Sequence, residues 1–302
     1  MGFMPLKDQS GASVILETDF FTDCDDVAAL ALLCDEACRH AGAFSLAGVA
    51  ANVNHPQIPA AIRAVLARYG MGDVPVAMWP EGQPWGYDSK YIGALAALAP
   101  DGSSGHVGGL EFYRRVLRAV PDSSLTIVSI GFFNGLTAAL HDDPALFHRK
   151  VARVIAMAGG FGRKCDHCEY NVVGHLGASR EFIGNFKGEI DFVGFECGDR
   201  AMTDLTGLPE DRGNFLLEAF RLRSNENMRH PSWDPITVDF AVNGECDCWR
   251  LSGPGRVEVD GEGRTLFAAS ADGNSRHLVF AMSDAAAGAR ISGDVRRAAR
   301  LG

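Results

Sequence analysis

The sequence predicts an α/β protein with an open, mostly parallel sheet flanked by helices and a small C-terminal hairpin. Two observations carry this. Through the first half, short β-branched or apolar runs alternate with longer helical patterns. Successive strands are then separated by roughly ten or more residues, enough for crossover connections and parallel pairing. From Arg256 the character changes. Arg256-Val257-Glu258-Val259 and Thr265-Leu266-Phe267 flank the turn-forming stretch Asp260-Gly261-Glu262-Gly263, which reads as a hairpin.

Taken in order, Val14-Ile15-Leu16 reads as a buried first strand, followed by acidic residues and the apolar stretch Val27 to Leu33 of a helix. Phe44 to Val49 is a second strand and Ile58 to Tyr69 a second helix. Val74-Pro75-Val76 opens a short third strand. Between Trp79 and Gly109 the pattern weakens into Gly- and Pro-rich loops around one helix, Ser89 to Leu98, with mobility expected at both ends. Leu125 to Ile130 is the clearest central strand, and Asn134 is expected to cap a helix running toward Leu140. Val151 to Met157 and Ile190 to Phe195 complete the apolar strands, and a helix from Asp284 closes the chain.

At 302 residues the chain has the length of two ordinary domains of roughly 150 residues. Neither an internal repeat nor a linker is evident, so a single α/β domain over 1–302 is expected. Hydrophobic residues at 47% and charged ones at 22% exclude a disordered or fibrous chain. The formal charge of -10 repels nucleic acid and anionic lipid, and the basic cluster Arg296, Arg297 and Arg300 reads as a solvated helix face. No secretory signal pattern opens the sequence and no run of about 18 apolar residues occurs. A cytoplasmic, reducing location without membrane or nucleic acid partners is expected. Of the eight cysteines, Cys165 and Cys168 are spaced C-x-x-C, while Cys246 and Cys248 form an unusual pair for zinc. They read as ordinary thiols. Gly159-Gly160-Phe161-Gly162 does not follow the first strand and lacks the dinucleotide spacing.

The chemistry-bearing feature is acidic. Glu17, Asp19, Asp23, Asp25 and Asp26 place five carboxylates between the first strand and its helix. Open α/β sheets keep their sites at such carboxyl ends. Like charges packed this closely raise one another's pKa unless a cation compensates, and oxygen-only ligands suit a hard ion, Ca²⁺ or Mg²⁺. The competing structural reading makes Asp23 a helix cap and the remainder surface acids.

With its segment Asp19-Phe20-Phe21-Thr22-Asp23-Cys24-Asp25-Asp26, the sequence resembles the inosine-uridine preferring nucleoside hydrolase family, in a branch whose first motif is D-x-x-x-D-C-D-D. Further segments fall in that family's order: Ala51-Asn52, Gly131-Phe132-Phe133-Asn134, Met157-Ala158-Gly159-Gly160, Glu169-Tyr170-Asn171 and Ser232-Trp233-Asp234-Pro235. The resemblance spans about residues 14 to 283. It implies a Rossmann-like, nucleoside hydrolase-like sheet, a small-molecule ribonucleoside or ribosyl substrate, and a homodimer or homotetramer. It also implies one Ca²⁺ held by Asp19, Asp26, Asp234 and the Phe133 carbonyl. Asp19 would be the general base, with Asp25 also in the catalytic set. Asp25, Asn52, Glu169 and Asn171 would bind ribose hydroxyls. The residue types make chemical sense, because N-glycosidic cleavage develops positive charge that carboxylates stabilise, and amides offer sugar hydroxyls both donor and acceptor.

The sequence departs from the family pattern where Trp233 replaces a histidine assigned to protonating the leaving base. An indole stacks on a base but supplies no acid. His106, His167, His175 and His230 are the alternative donors, each also readable as a loop histidine. Arg163 and Lys164 lie where an Asn often reaches the sugar 5'-hydroxyl. Two other functions compete: a non-catalytic ribosyl-binding protein, and a Mg²⁺-dependent phosphohydrolase needing a lysine such as Lys164.

Overall fold

The computed structural model describes residues 3–80, 89–100, 105–162, 168–209, 211, 213–223 and 227–300. Among them the strands are β1 (Ala12–Thr18), β2 (Phe44–Ala51), β3 (Val76–Met78), β4 (Val107–Gly108), β5 (Leu125–Ile130), β6 (Val151–Met157), β7 (Glu189–Val193), β8 (Met202–Asp204), β9 (Arg229–Pro231), β10 (Trp249–Leu251), β11 (Gly255–Val259), β12 (Thr265–Ala269) and β13 (Ser275–Phe280). The helices are α1 (Asp25–Arg39), α2 (Ile58–Arg68), α3 (Ile92–Ala96), α4 (Gly109–Ala119), α5 (Asn134–Asp142), α6 (Pro144–Lys150), α7 (Tyr170–Val173), α8 (Leu176–Asn185), α9 (Phe195–Gly198), α10 (Phe215–Arg223), α11 (Trp233–Asn243) and α12 (Asp284–Ala298).

The main sheet has the order β12-β11-β13-β7-β6-β5-β1-β2-β3-β4, with β10 added to β13. From β4 across to β13 every neighbouring pair is parallel. The hairpin β11–β12 and strand β10 run antiparallel. Central strands buried on both faces need no polar alternation. In β1, Val14 and Leu16 enter the core beneath α1, α2, α11 and α12, while Ile15 enters the opposite core beneath α4, α5, α6 and α8. From β1 the chain steps outward through β2, β3 and β4, then returns to β5 on β1's other side. The order therefore reverses between β1 and β5, which is where an open sheet leaves a crevice at its carboxyl ends.

Several expectations are refined. The helix expected over Ser89 to Leu98 contracts to α3, and the two loops expected to be mobile include 81–88 and 101–104, outside the described residues. Helix α4 was not anticipated, although Phe112, Tyr113, Val116 and Leu117 form its buried face. The helix expected to be capped by Asn134 begins at that residue instead. Phe133 takes the N-cap position, and Asn134 Nδ2 donates to the Asn52 carbonyl at 3.2 Å. Strand β7 stops at Val193, and Phe195 opens α9. No helix among the described residues is long and apolar enough to cross a membrane.

Candidate active site

The loop leaving β1 is tied down by the residues it brings together. Thr18 Oγ1 donates to Asp26 Oδ1, and Phe20 N donates to the same oxygen at 3.1 Å. Phe20 adopts a left-handed φ of 42°, a conformation costing a non-glycine residue roughly 1–2 kcal/mol. Asp25 and Asp26 occupy the first turn of α1, and Asp234 the first turn of α11. Two helix N-termini thus converge, and their unpaired N–H groups favour negative charge there. The competing reading of Asp23 as the helix cap does not hold, since Cys24 takes the N-cap position. Asp234 N donates to Asp25 Oδ2 at 3.1 Å, joining the two helix starts.

One carboxylate oxygen from each of Asp23, Asp25, Asp26 and Asp234 lies within 4.8 Å of the others. Asp25 Oδ1 and Asp26 Oδ2 are buried without hydrogen-bond partners among the described residues. Burial, followed by the charges of their acidic neighbours, holds Asp25, Asp26 and Asp234 well above the usual carboxylate range. Unpartnered buried oxygens gathered this closely fit a hard divalent cation, which would satisfy them and relieve the repulsion. A second gathering is Asp23, Asp25 and His230, with His230 Nδ1 3.7 Å from Asp25 Oδ1. That nitrogen is also 2.9 Å from the Pro231 carbonyl.

Asp19 lies beside this group. Burial and the neighbouring Asp23 charge raise its pKa to about 7, against a bond from Thr22 Oγ1 to Asp19 Oδ2 of 3.2 Å. Across the crevice, Glu169 caps α7 and accepts from the backbone N–H groups of Asn171 (2.7 Å), Val172 (3.1 Å) and Gly159 (3.1 Å). Burial raises its pKa to about 7 even so. Asn171 Nδ2 donates to the Met157 carbonyl at 3.0 Å.

These groups open onto a cleft of about 200 Å³. Its lining includes the acids Asp19, Asp23, Asp25, Asp26, Glu169 and Asp234 and the aromatics Tyr170, Phe195 and Trp233. Arg223 is the one cationic residue among its described lining, tethered by its Nε to the Thr22 carbonyl at 3.0 Å. Trp233 donates its indole N–H to the Phe195 carbonyl at 2.9 Å and packs on the Phe195 ring at 5.4 Å.

Of the residues expected in the site, Asp19, Asp25, Asp26, Glu169, Asn171, Trp233 and Asp234 line the cleft. Asn52 and Phe133 are buried behind that lining. The Phe133 carbonyl accepts from Thr137 N at 2.9 Å, and the single hydroxyl proton of Thr137 has two carbonyls at 2.9 Å to choose from, those of Phe133 and Ala178. Asp23 stands in the gathered set where Asp19 was expected. Among the histidines, His230 sits beside Asp25, and His175 packs on Phe132 at 5.3 Å. His106 is exposed in the segment leading to β4. Arg163, Lys164, Cys165 and His167 lie outside the described residues. Cys168 Sγ contacts the Glu262 carbonyl, Cys246 Sγ accepts from Cys248 N, and no cysteine joins a metal-competent group among the described residues. Sequence reasoning missed Tyr170, Phe195 and Arg223. Tyr170 lies between Glu169 and Asn171, which drew the attention to themselves, while Phe195 and Arg223 carry no local motif.

No protein-family model and no curated protein matches the chain by sequence. Solved structures match it along nearly its whole length. The inosine-uridine preferring nucleoside hydrolase from Bacillus anthracis is 19% identical, with 96% of this chain and 100% of that one covered at a TM-score of 0.72. A purine-preferring ribonucleoside hydrolase from Gardnerella vaginalis is 17% identical, with 96% and 100% covered at 0.67. The type III effector protein XopQ, solved in complex with adenosine diphosphate ribose, is 16% identical, with 97% and 95% covered at 0.67. The parallel sheet, its reversal beside β1 and the helices on both faces are thus the fold of nucleoside hydrolases.

Proposed function

We propose that this protein is a hydrolase of N-ribosyl compounds, cleaving the N-glycosidic bond of a ribonucleoside or close relative to ribose and free base. The observation that carries this reading is the gathering of Asp23, Asp25, Asp26 and Asp234 around unpartnered oxygens at the sheet's switch point. We assign that position to a divalent cation, Ca²⁺, which suits an all-oxygen donor set. When bound, the ion chelates vicinal hydroxyls and acidifies water.

The chain's own residues do the rest. Asp19, on the cleft wall beside the gathered carboxylates, takes a proton from the attacking water. The ring of carboxylates stabilises the positive charge that grows on the anomeric carbon as the bond to the base breaks. Asp25, Glu169 and Asn171 orient the sugar hydroxyls, while Trp233, Tyr170 and Phe195 offer the base an aromatic wall. The electron pair of the broken bond leaves with the base, which takes its proton from solvent water as it departs.

The test is hydrolysis of ribonucleosides by chelated protein before and after Ca²⁺ add-back, with 2'-deoxy counterparts in parallel. We expect activity to require the ion and kcat/KM to fall at least tenfold without the 2'-hydroxyl, since an unpaired buried polar group costs about 1–3 kcal/mol. Full activity in metal-free protein, or equal rates on both sugars, would sink the proposal. Tight ribosyl binding without turnover would favour a binding protein instead, the reading that the ADP-ribose complex of XopQ brings forward.

A further inference from the structure

Behind the cleft lies a polar cluster that the proposed chemistry leaves without a role. Glu17, on β1, is wholly buried and turned toward the core beneath α4 and α5. Its Oε1 accepts from Tyr113 Oη at 2.8 Å and from Trp79 Nε1 at 3.3 Å. Its Oε2 accepts from Asn52 Nδ2 at 3.4 Å. The Trp79 indole is seated with little latitude, because a Cβ at Gly109 or Gly135 would fall 2.3 Å from the ring. Burial pushes the Glu17 carboxyl up to about 8, and its three donors pull it back.

Asn52 is the other half of the cluster. Its backbone N donates to the Thr18 carbonyl at 2.9 Å, its Nδ2 donates to the Phe132 carbonyl at 3.0 Å, and its own carbonyl accepts from Asn134 Nδ2. It therefore ties together the ends of β1, β2 and β5. Its Oδ1 is buried and has no partner among the described residues. That amide crowds Gly131, where a Cβ would lie 2.7 Å from Asn52 Oδ1 and 2.5 Å from the backbone N of Asp19.

The donor set dictates which side chain fits at position 17. Indole N–H is only a donor, and the Asn52 NH₂ is held as a donor by the Phe132 carbonyl. These two press on opposite oxygens of one carboxyl group. Glutamate answers both, whereas glutamine would turn an NH₂ against one of them. We propose that Glu17 is a positioning residue, which fixes the Asn52 carboxamide and through it the junction of β1, β2 and β5 from which Asp19 enters the cleft. This rests on the N-ribosyl hydrolase reading for the reaction that Asp19 serves, and on the hydrogen bonds alone for the positioning.

The experiment compares Glu17→Gln with Tyr113→Phe. Both delete one hydrogen bond of the same buried cluster, but only Glu17→Gln places a donor against Asn52 or Trp79. Each variant is checked for thermal unfolding and Ca²⁺ content, then for kcat and KM on a ribonucleoside. The Asn52 side-chain amide is followed by NMR. Glu17→Gln is expected to shift that amide resonance and to lower kcat/KM by about tenfold or more with the fold retained, the effect of leaving one buried polar group unpaired. Tyr113→Phe should lower the melting temperature with a much smaller change in kcat/KM. Equal losses in the two variants, or an unmoved Asn52 resonance in Glu17→Gln, would overturn the proposal. Should the wild-type protein cleave no N-riboside, the functional reading fails, and the NMR comparison still decides whether Glu17 positions Asn52.

Discussion

Asp19 combines two properties that rarely meet in one acid: a buried setting that lifts its pKa to about 7, and a place on the wall of a cleft. A base poised near neutrality transfers protons with the best compromise between availability and driving force. Asp19→Asn keeps the shape and loses the basicity. The expected outcome is a kcat lower by roughly 10²-fold or more, since general-base transfer contributes about 10²–10⁴-fold. Circular dichroism and Ca²⁺ content should match wild type, and near-wild-type turnover with the ion bound would remove the role. Residues of this kind were legible in the sequence because Asp19, Asp23, Asp25 and Asp26, following an apolar strand so closely, have no cheap structural explanation. Phe195 and Arg223 were not, because an aromatic and a basic residue gain meaning only from what they face. Phe133 marks a different limit. A backbone carbonyl leaves no trace in its own side chain, so its place relative to the acids follows only from the fold.

At the scale of elements, the site depends on how α1 is held. Its start carries Asp25 and Asp26, and its far end is clamped by α12, where Arg297 Nε donates to Asp35 Oδ2 at 2.8 Å and Arg297 Nη2 to Glu36 Oε1. Asp35 and Glu36 are buried, while Arg297 is about one-third exposed at 32%. Removing the guanidinium strands Asp35, while Glu36 keeps Arg39 and His40 as partners; stranding one buried acid costs about 3–5 kcal/mol in dry surroundings and less where water reaches the pair. Arg297→Ala should therefore destabilise by about 2 kcal/mol, read as a lower urea midpoint with an unchanged slope. An unmoved midpoint would show the clamp to be ornamental. The basic cluster that reads as a solvated face in the sequence is thus partly a tether, as sequence proximity could not reveal partners 261 and 262 residues away. Most strands were legible from their apolar runs. Helix α4 was passed over because Gly109 and the surrounding loops masked an otherwise regular buried face.

For the whole molecule, the cluster couples stability to pH and to cation binding. Asp19, Asp25, Asp26, Glu169 and Asp234 all have pKa values raised in the folded state, Asp19 and Glu169 to about 7. The folded protein then holds protons that the unfolded chain has already released. Stability from these groups is full below the unfolded carboxylate pKa of about 4 and is lost as pH rises toward 7. Chelated protein should accordingly melt at a higher temperature at pH 5 than at pH 7.5, and Ca²⁺ should raise the melting temperature more at pH 7.5 than at pH 5. Calorimetry with and without the ion reads both differences, and the reverse order would contradict the assignment of these carboxylates as its ligands.

The bond from Asp234 N to Asp25 Oδ2 spans 209 positions of the chain. During synthesis at about 5–20 residues per second, the first acids of the pair wait on the order of 10–40 seconds for the last. Through that interval a nascent chain carries a crowded anionic loop with no fourth carboxylate to complete a cage. On the proposed assignment, a chain cut short before α11 would lack Asp234 and would hold the cation poorly whatever else had folded.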